Sequence, residues 1–144
     1  IVFEIQKRSL SNRVVLHSFD WSLLEECFLI APEMPRSYLS QLPESSDDPF
    51  DKPTEESSPD FTSFNCSIPE AIQAAGGHLW CPYFKDITVD LVTEAHKLGL
   101  PVCTWTVNEV EDIENMIDMG IDGIITDYID RAKKIFKSRG LSWQ

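Results

Sequence analysis

No stretch of this 144-residue chain is apolar for long enough to cross a bilayer, which takes about 20 consecutive residues in a helix. The N-terminal IVFEIQKRSL also lacks the order of a secretory signal, so the sequence reads as one with no membrane insertion. Basic residues are scarce: 12 Lys and Arg stand against 24 Asp and Glu, a formal charge of −12. With no basic stripe to neutralise phosphates, a nucleic-acid or anionic-membrane partner is argued against. Cysteine is sparse and scattered, at Cys27, Cys66, Cys81 and Cys103, with no C-x-x-C pair and no histidine at zinc-ligand spacing. The four read as free thiols, and a reducing, cytoplasmic setting is favoured.

What is present is ordinary globular material, 42% hydrophobic and 10% aromatic, enough for one domain with a real core. It is organised as a βα unit repeated every 21 to 23 residues or so, the length that one strand, one helix and two short loops require. Residues 14–19 (VVLHSF) form the first predicted strand, with Asp20 as N-cap of a helix over residues 21–30. Residues 36–42 are a shorter, weaker strand, and 78–83 the next. A helix over 88–98 follows, with Leu91, Val92, Ala95 and Leu98 on one face and Gly99 as its stop. The β-branched and aromatic run VCTWTV (102–107) is a strand, after which Asn108 is placed to cap a helix, with Glu111 at capping-box spacing. Val110, Ile113 and Ile117 carry that helix to Gly120. GIIT (123–126) is the last strand, and Asp127 is placed to cap a helix from 128 to about 137 with a basic last turn.

Three segments stand outside the repeat. Residues 1–10 fit the tail of a helix, and 68–75 a short amphipathic helix before Gly76-Gly77. Residues 43–66 hold four prolines, five serines and seven acidic residues against one lysine, a composition that cannot bury enough apolar surface to offset the entropy of ordering. A mobile insertion is expected there, either a lid or a plain solvated loop, with Phe50, Phe61 and Phe64 as its only anchors.

Five strands joined by helices satisfy an open doubly wound sheet, or they are five of the eight strands of a closed barrel. The order of motifs decides between them. Ser18-Phe19-Asp20 at a strand end, then Trp105-Thr106-Val107-Asn108, then the closing Gly120 to Asp127 (GIDGIITD) together resemble the C-terminal part of the glycerophosphodiester phosphodiesterase family. The resemblance runs across nearly the whole chain outside the insertion. It implies an α/β fold of the (β/α)8 TIM-barrel kind, with this chain supplying the C-terminal five βα units and therefore incomplete. It also implies metal-dependent hydrolysis of a small-molecule glycerophosphodiester to glycerol 3-phosphate and an alcohol.

The family's machinery is a His-Arg-Gly, a Glu-x-Asp, a further His and a Glu-x-Lys on the first strands, with the carboxylates suited to Mg²⁺ or Ca²⁺. This sequence contains no His-Arg-Gly, Glu-x-Asp or Glu-x-Lys; Ser138-Arg139-Gly140 and Glu4-Ile5-Gln6 only approximate two of them. No catalytic residue and no metal ligand is therefore expected in this chain, and the isolated chain is expected to be inactive. Of its histidines, His17 lies on a strand with no carboxylate partner in sequence, His78 opens a strand at the far end, and His96 sits near a helix C-terminus; all three read as structural before they read as catalytic. Trp105, Phe19, Ser18, Tyr83 and Asn108 remain as candidate substrate-binding residues at strand C-termini, each with a plainer role in packing or capping. The competing functions are a non-catalytic half-barrel that self-associates through its open sheet edges, and an unrelated barrel enzyme with a phosphate site after its last two strands.

Overall fold

The computed structural model describes residues 1–42 and 65–142, and the predicted insertion and its three phenylalanines lie outside them but for Asn65 and Cys66. The strands are β1 (Leu16–Ser18), β2 (Arg36–Ser40), β3 (Leu79–Pro82), β4 (Cys103–Thr104) and β5 (Gly123–Ile124). The helices are α1 (Val2–Lys7), α2 (Trp21–Ile30), α3 (Ile68–Ala74), α4 (Val89–Lys97), α5 (Val110–Met119) and α6 (Ile129–Ser138). Every strand pairs parallel to the next, β1-β2-β3 in one sheet and β4-β5 in another. Single parallel bridges from Trp80 to Val102 and from Tyr83 to Trp105 join the two.

Each chain reversal has a local cause. Asp20 accepts the Leu23 N–H at 3.0 Å and starts α2, while Ser67 and Glu70 close a capping box around the start of α3. Thr88 caps α4 in the same way. Gly99 and Gly120, at φ 75° and 79°, take the left-handed conformation that ends α4 and α5.

Side-chain alternation divides the strands into two faces. Leu16, Tyr38, Trp80 and Val102 face the helices and share one core with Leu24, Ile72, Val92, Ile113 and Ala132. His17, Ser37, Leu39, Cys81, Cys103 and Gly123 turn to the other face; His17 Nδ1 meets Ser37 Oγ there at 2.9 Å. That second face is concave. Phe19 follows β1 and Trp105 follows β4, three strand spacings or roughly 14 Å apart in a flat sheet, yet their ring centroids lie 5.4 Å apart. Only a sheet curled toward this side brings them together.

The strand at residues 36–42 is not the weak one: β2 is the longest, central in its sheet and buried at every position. Its polar side chains find partners in place, except at the buried Arg36 Nε, which has none. Arg36, 1% exposed, donates to the Tyr38 hydroxyl at 2.8 Å and to the Gly76 carbonyl at 2.7 Å, with its guanidinium over the Phe28 ring. Ser40 accepts the Trp80 indole N–H at 2.9 Å. By contrast the six-residue VCTWTV run pairs regularly only at Cys103 and Thr104.

Candidate functional site

The C-terminal ends of the strands lie at one rim of the curled sheet, and there the structure gathers three of the five candidates. Phe19 and Tyr83 flank the Trp105 ring, at centroid distances of 5.4 and 5.2 Å, the first edge-on and the second tilted. Trp105 is fixed by its indole N–H, which donates to the Cys81 carbonyl at 3.0 Å. All three rings are part-exposed, so they form an apolar wall with a Tyr hydroxyl and backbone groups beside it. Such a surface holds the hydrocarbon part of a small ligand and leaves its polar part to be met elsewhere.

Ser18 ends β1 one residue before Phe19, and its Oγ accepts the Asp20 N–H at 3.0 Å. Asn108 stands apart from the aromatic wall. It does not cap α5: Glu109 occupies that position without a side-chain bond, and the Asn108–Glu111 capping box does not form. Its amide instead bridges two loops, the Oδ1 accepting from Thr126 Oγ1 (3.1 Å) and the Asp127 N–H (3.0 Å), and the Nδ2 donating to Asp127 Oδ2 (2.9 Å). Arg131 bonds the Asn108 carbonyl and pairs with Glu109 at 3.4 Å. Asp127 is correspondingly not the cap of α6; Tyr128 holds that place, with no side-chain cap bond. The cause is common to both corrections: cross-loop pairing outcompetes local capping for the same oxygens. Thr126 and Arg131 are the members of this cluster that sequence reasoning passed over, since a hydroxyl and a helix arginine carry no signal until β5 is laid beside β4.

The other carboxylates near the rim are engaged locally. Asp20 Oδ1 accepts from Ser22 Oγ at 2.7 Å and from Leu23 N, and the Ser22 bond leads in holding its carboxyl below the ordinary range. Asp86 Oδ2 accepts the Leu42 N–H at 2.7 Å. Among the described residues no three His, Cys, Asp or Glu side chains come together in a metal-holding group. The described residues do not fit a divalent cation site.

The histidines are distributed elsewhere. Partial burial depresses the pKa of His17, whose partner is Ser37. The His78 Nδ1 accepts the Arg36 N–H at 3.4 Å. His96 Nε2 meets Asp122 Oδ2 at 2.9 Å, and that carboxylate also accepts the Val102 N–H, so the pair ties α4 to the start of β4 at the end opposite the rim. Along the free edge of β1 runs an apolar groove of about 590 Å³, lined by Val2, Phe3, Val15, Leu23 and Ile30 among others, with His17 and Ser18 at its polar end. No helix among the described residues is long and apolar enough to cross a membrane.

Comparison with known proteins gives a consistent picture. Residues 1–131 match the model of the glycerophosphoryl diester phosphodiesterase family. A glycerophosphodiester phosphodiesterase of Caldanaerobacter subterraneus subsp. tengcongensis is 46% identical over 46 residues, 32% of this chain and 19% of that protein. The crystal structure of a Silicibacter pomeroyi DSS-3 protein, provisionally named a glycerophosphoryl diester phosphodiesterase, superposes with a TM-score of 0.87 at 49% identity, over 99% of this chain and 44% of that one. A glycerophosphodiester phosphodiesterase from Parabacteroides distasonis ATCC 8503 gives 0.73 at 25% identity, over 96% and 49%. The matches thus span less than half the length of each of these relatives.

Proposed function

Because this chain belongs to the glycerophosphoryl diester phosphodiesterase family, we propose that it supplies the C-terminal five βα units of a (β/α)8 barrel that hydrolyses glycerophosphodiesters to glycerol 3-phosphate and an alcohol. The observation that carries this reading is the family match over residues 1–131, with WTVN and the Thr126-Asp127 end of GIDGIITD both at the rim where such barrels keep their chemistry. In it the chain contributes binding and not bond cleavage. Trp105, Phe19 and Tyr83 form the wall against which the glycerol or alcohol carbons pack. Ser18 offers a hydroxyl at the edge of that wall, and Asn108 is a rim amide that also locks the loops after β4 and β5 together.

The general acid and base, and the carboxylates for Mg²⁺ or Ca²⁺, belong in this reading to the front strands of the complete enzyme. Two facts support it: the sequence contains no His-Arg-Gly, Glu-x-Asp or Glu-x-Lys, and the described carboxylates at the rim are taken up by backbone and amide groups. When bound, the cation would polarise the phosphoryl oxygens.

The test is a fusion in which this chain follows the front half of the Silicibacter relative. It should hydrolyse a glycerophosphodiester in a cation-dependent manner, and Trp105→Ala should raise KM about 10-fold, the loss of roughly 1.4 kcal/mol of apolar contact. A folded fusion whose KM ignores Trp105 would remove the wall from the binding site. A second reading, self-association through the β1 edge, rests on the apolar groove there and on the exposure of Phe3 and Ile30, 72% and 65%. A sedimentation profile that stays monomeric at high protein concentration would eliminate it.

A further inference from the structure

One pair of nucleophilic side chains has no part in the proposed reaction. Cys81 on β3 and Cys103 on β4 are 22 residues apart, the same offset as the flanking bridges Trp80 to Val102 and Tyr83 to Trp105. The two cysteines are therefore in register on adjacent parallel strands, and alternation turns both to the concave face. Neighbouring strands lie about 4.7–4.9 Å apart, inside the Cα separation of about 4.4–6.8 Å that a disulfide spans without backbone rearrangement.

The surroundings leave the Cys103 thiol room to turn. Cys103 pairs in register with Gly123 on its other side, where a Cβ would come within 3.1 Å of the Cys103 Sγ. The bare glycine leaves that space to the thiol, which can turn about χ1 between this position and Cys81 on the neighbouring strand. Cys81 is fully buried, whereas Cys103 is part-exposed and so the accessible member. The remaining cysteines, Cys27 on α2 and Cys66 before α3, lie on other elements.

We propose that Cys81 and Cys103 form a reversible dithiol–disulfide site in the floor beneath the aromatic wall, oxidised by a hydroperoxide. The Cys103 thiolate attacks the O–O bond, takes one oxygen as a sulfenic acid and releases hydroxide, or the alcohol from an organic peroxide. The Cys81 thiol then attacks that sulfur, its proton leaves with the hydroxyl as water, and the S–S bond forms. Access sets this order, Cys103 being the part-exposed thiol, and the directions of titration agree with it: beside each other, Cys103 is held below and Cys81 above the ordinary thiol range. Cys81 also carries the carbonyl that holds the Trp105 indole. Oxidation at this level therefore acts on the residue whose backbone anchors the wall.

The experiment treats the folded full chain with dilute hydrogen peroxide and follows it by free-thiol titration and by peptide mapping without reduction. The expected result is the loss of two thiols per chain, a cross-linked peptide containing Cys81 and Cys103, and full recovery with dithiothreitol. A chain carrying Cys27→Ser and Cys66→Ser should behave identically, and Cys103→Ser should yield no cross-link. A cross-link through Cys27 or Cys66, an oxygen adduct on Cys103 without a cross-link, or an unchanged thiol count would each overturn the proposal. None of these outcomes depends on the barrel activity, so the two readings fail separately.

Discussion

Trp80 and Trp105 sit on neighbouring strands and meet opposite surroundings. Trp80, near the start of β3, is 1% exposed among helix side chains, its indole satisfied by Ser40. Trp105, just past β4, is part-exposed on the concave side among two other rings. A similar contrast separates other residues at the two ends of the sheet. At the strand N-termini, Arg36 reaches Tyr38 and Gly76, and His96 reaches Asp122, so polar groups there are spent on joining elements. At the C-termini, apolar rings are left part-exposed on the concave side, where a monomer gains little stability from them. Parallel barrels divide labour in this way, with stability at one end and chemistry at the other.

Truncating both tryptophans sharpens that division most. Trp80→Ala should cost about 3–5 kcal/mol in denaturant unfolding, through a core cavity and an orphaned Ser40 hydroxyl. Trp105→Ala should cost less than half as much, about 1–2 kcal/mol, because its surface is already part-wet and only the ring pairs are lost. Equal losses would break the comparison. Arg36→Met comes next: it leaves the fully buried Tyr38 hydroxyl without its donor and breaks the bond to the Gly76 carbonyl, and about 2–4 kcal/mol should disappear from the same unfolding curve. Its counterpart at the rim, Asn108→Ala, should cost about 1 kcal/mol, since water can reach the released Asp127 carboxylate, which is exposed.

The smallest effect is a pH dependence. Burial lowers the folded-state pKa of His17 beneath its ordinary 6.5, so the unfolded chain binds the proton more readily. Stability should be unaffected by this group above that value and decline as pH falls from about 6.5 toward the folded pKa. The Ser22 and Leu23 bonds to Asp20 add a second decline below 3.8, as that carboxylate takes up a proton. His17→Gln should remove the first decline and leave the second; a variant that retains the first would assign it to another group.

Much of this was legible in the residues themselves. The repeat spacing fixed the parallel order, and its 22-residue offset sets Tyr83 beside Trp105 as a matter of register. Asp20, Gly99 and Gly120 do what their positions predict. The helix expected over 68–75 forms as α3, started by a Ser67-x-x-Glu70 capping box. What stayed hidden depends on partners far along the chain. Arg-Ser-Tyr-Leu-Ser looks too polar for a central strand until His17, Gly76 and Trp80 arrive to satisfy it. Asn108 and Asp127 look like caps for the same reason, because local rules name the nearest donor and the fold supplies a better one 18 to 19 residues away. Of the candidate site, the three rings were placed at the right end of the sheet by strand position alone; their mutual contact required the curl.

The measurement that bears most directly on the account is an assay of the purified 144-residue chain, folded by circular dichroism, on glycerophosphocholine and glycerophosphoethanolamine with Mg²⁺ or Ca²⁺, beside a complete relative as positive control. The account predicts that this chain releases no glycerol 3-phosphate under conditions where the relative turns over. Cation-dependent release by the chain alone, abolished by chelation, would contradict it and place the catalytic groups within these residues.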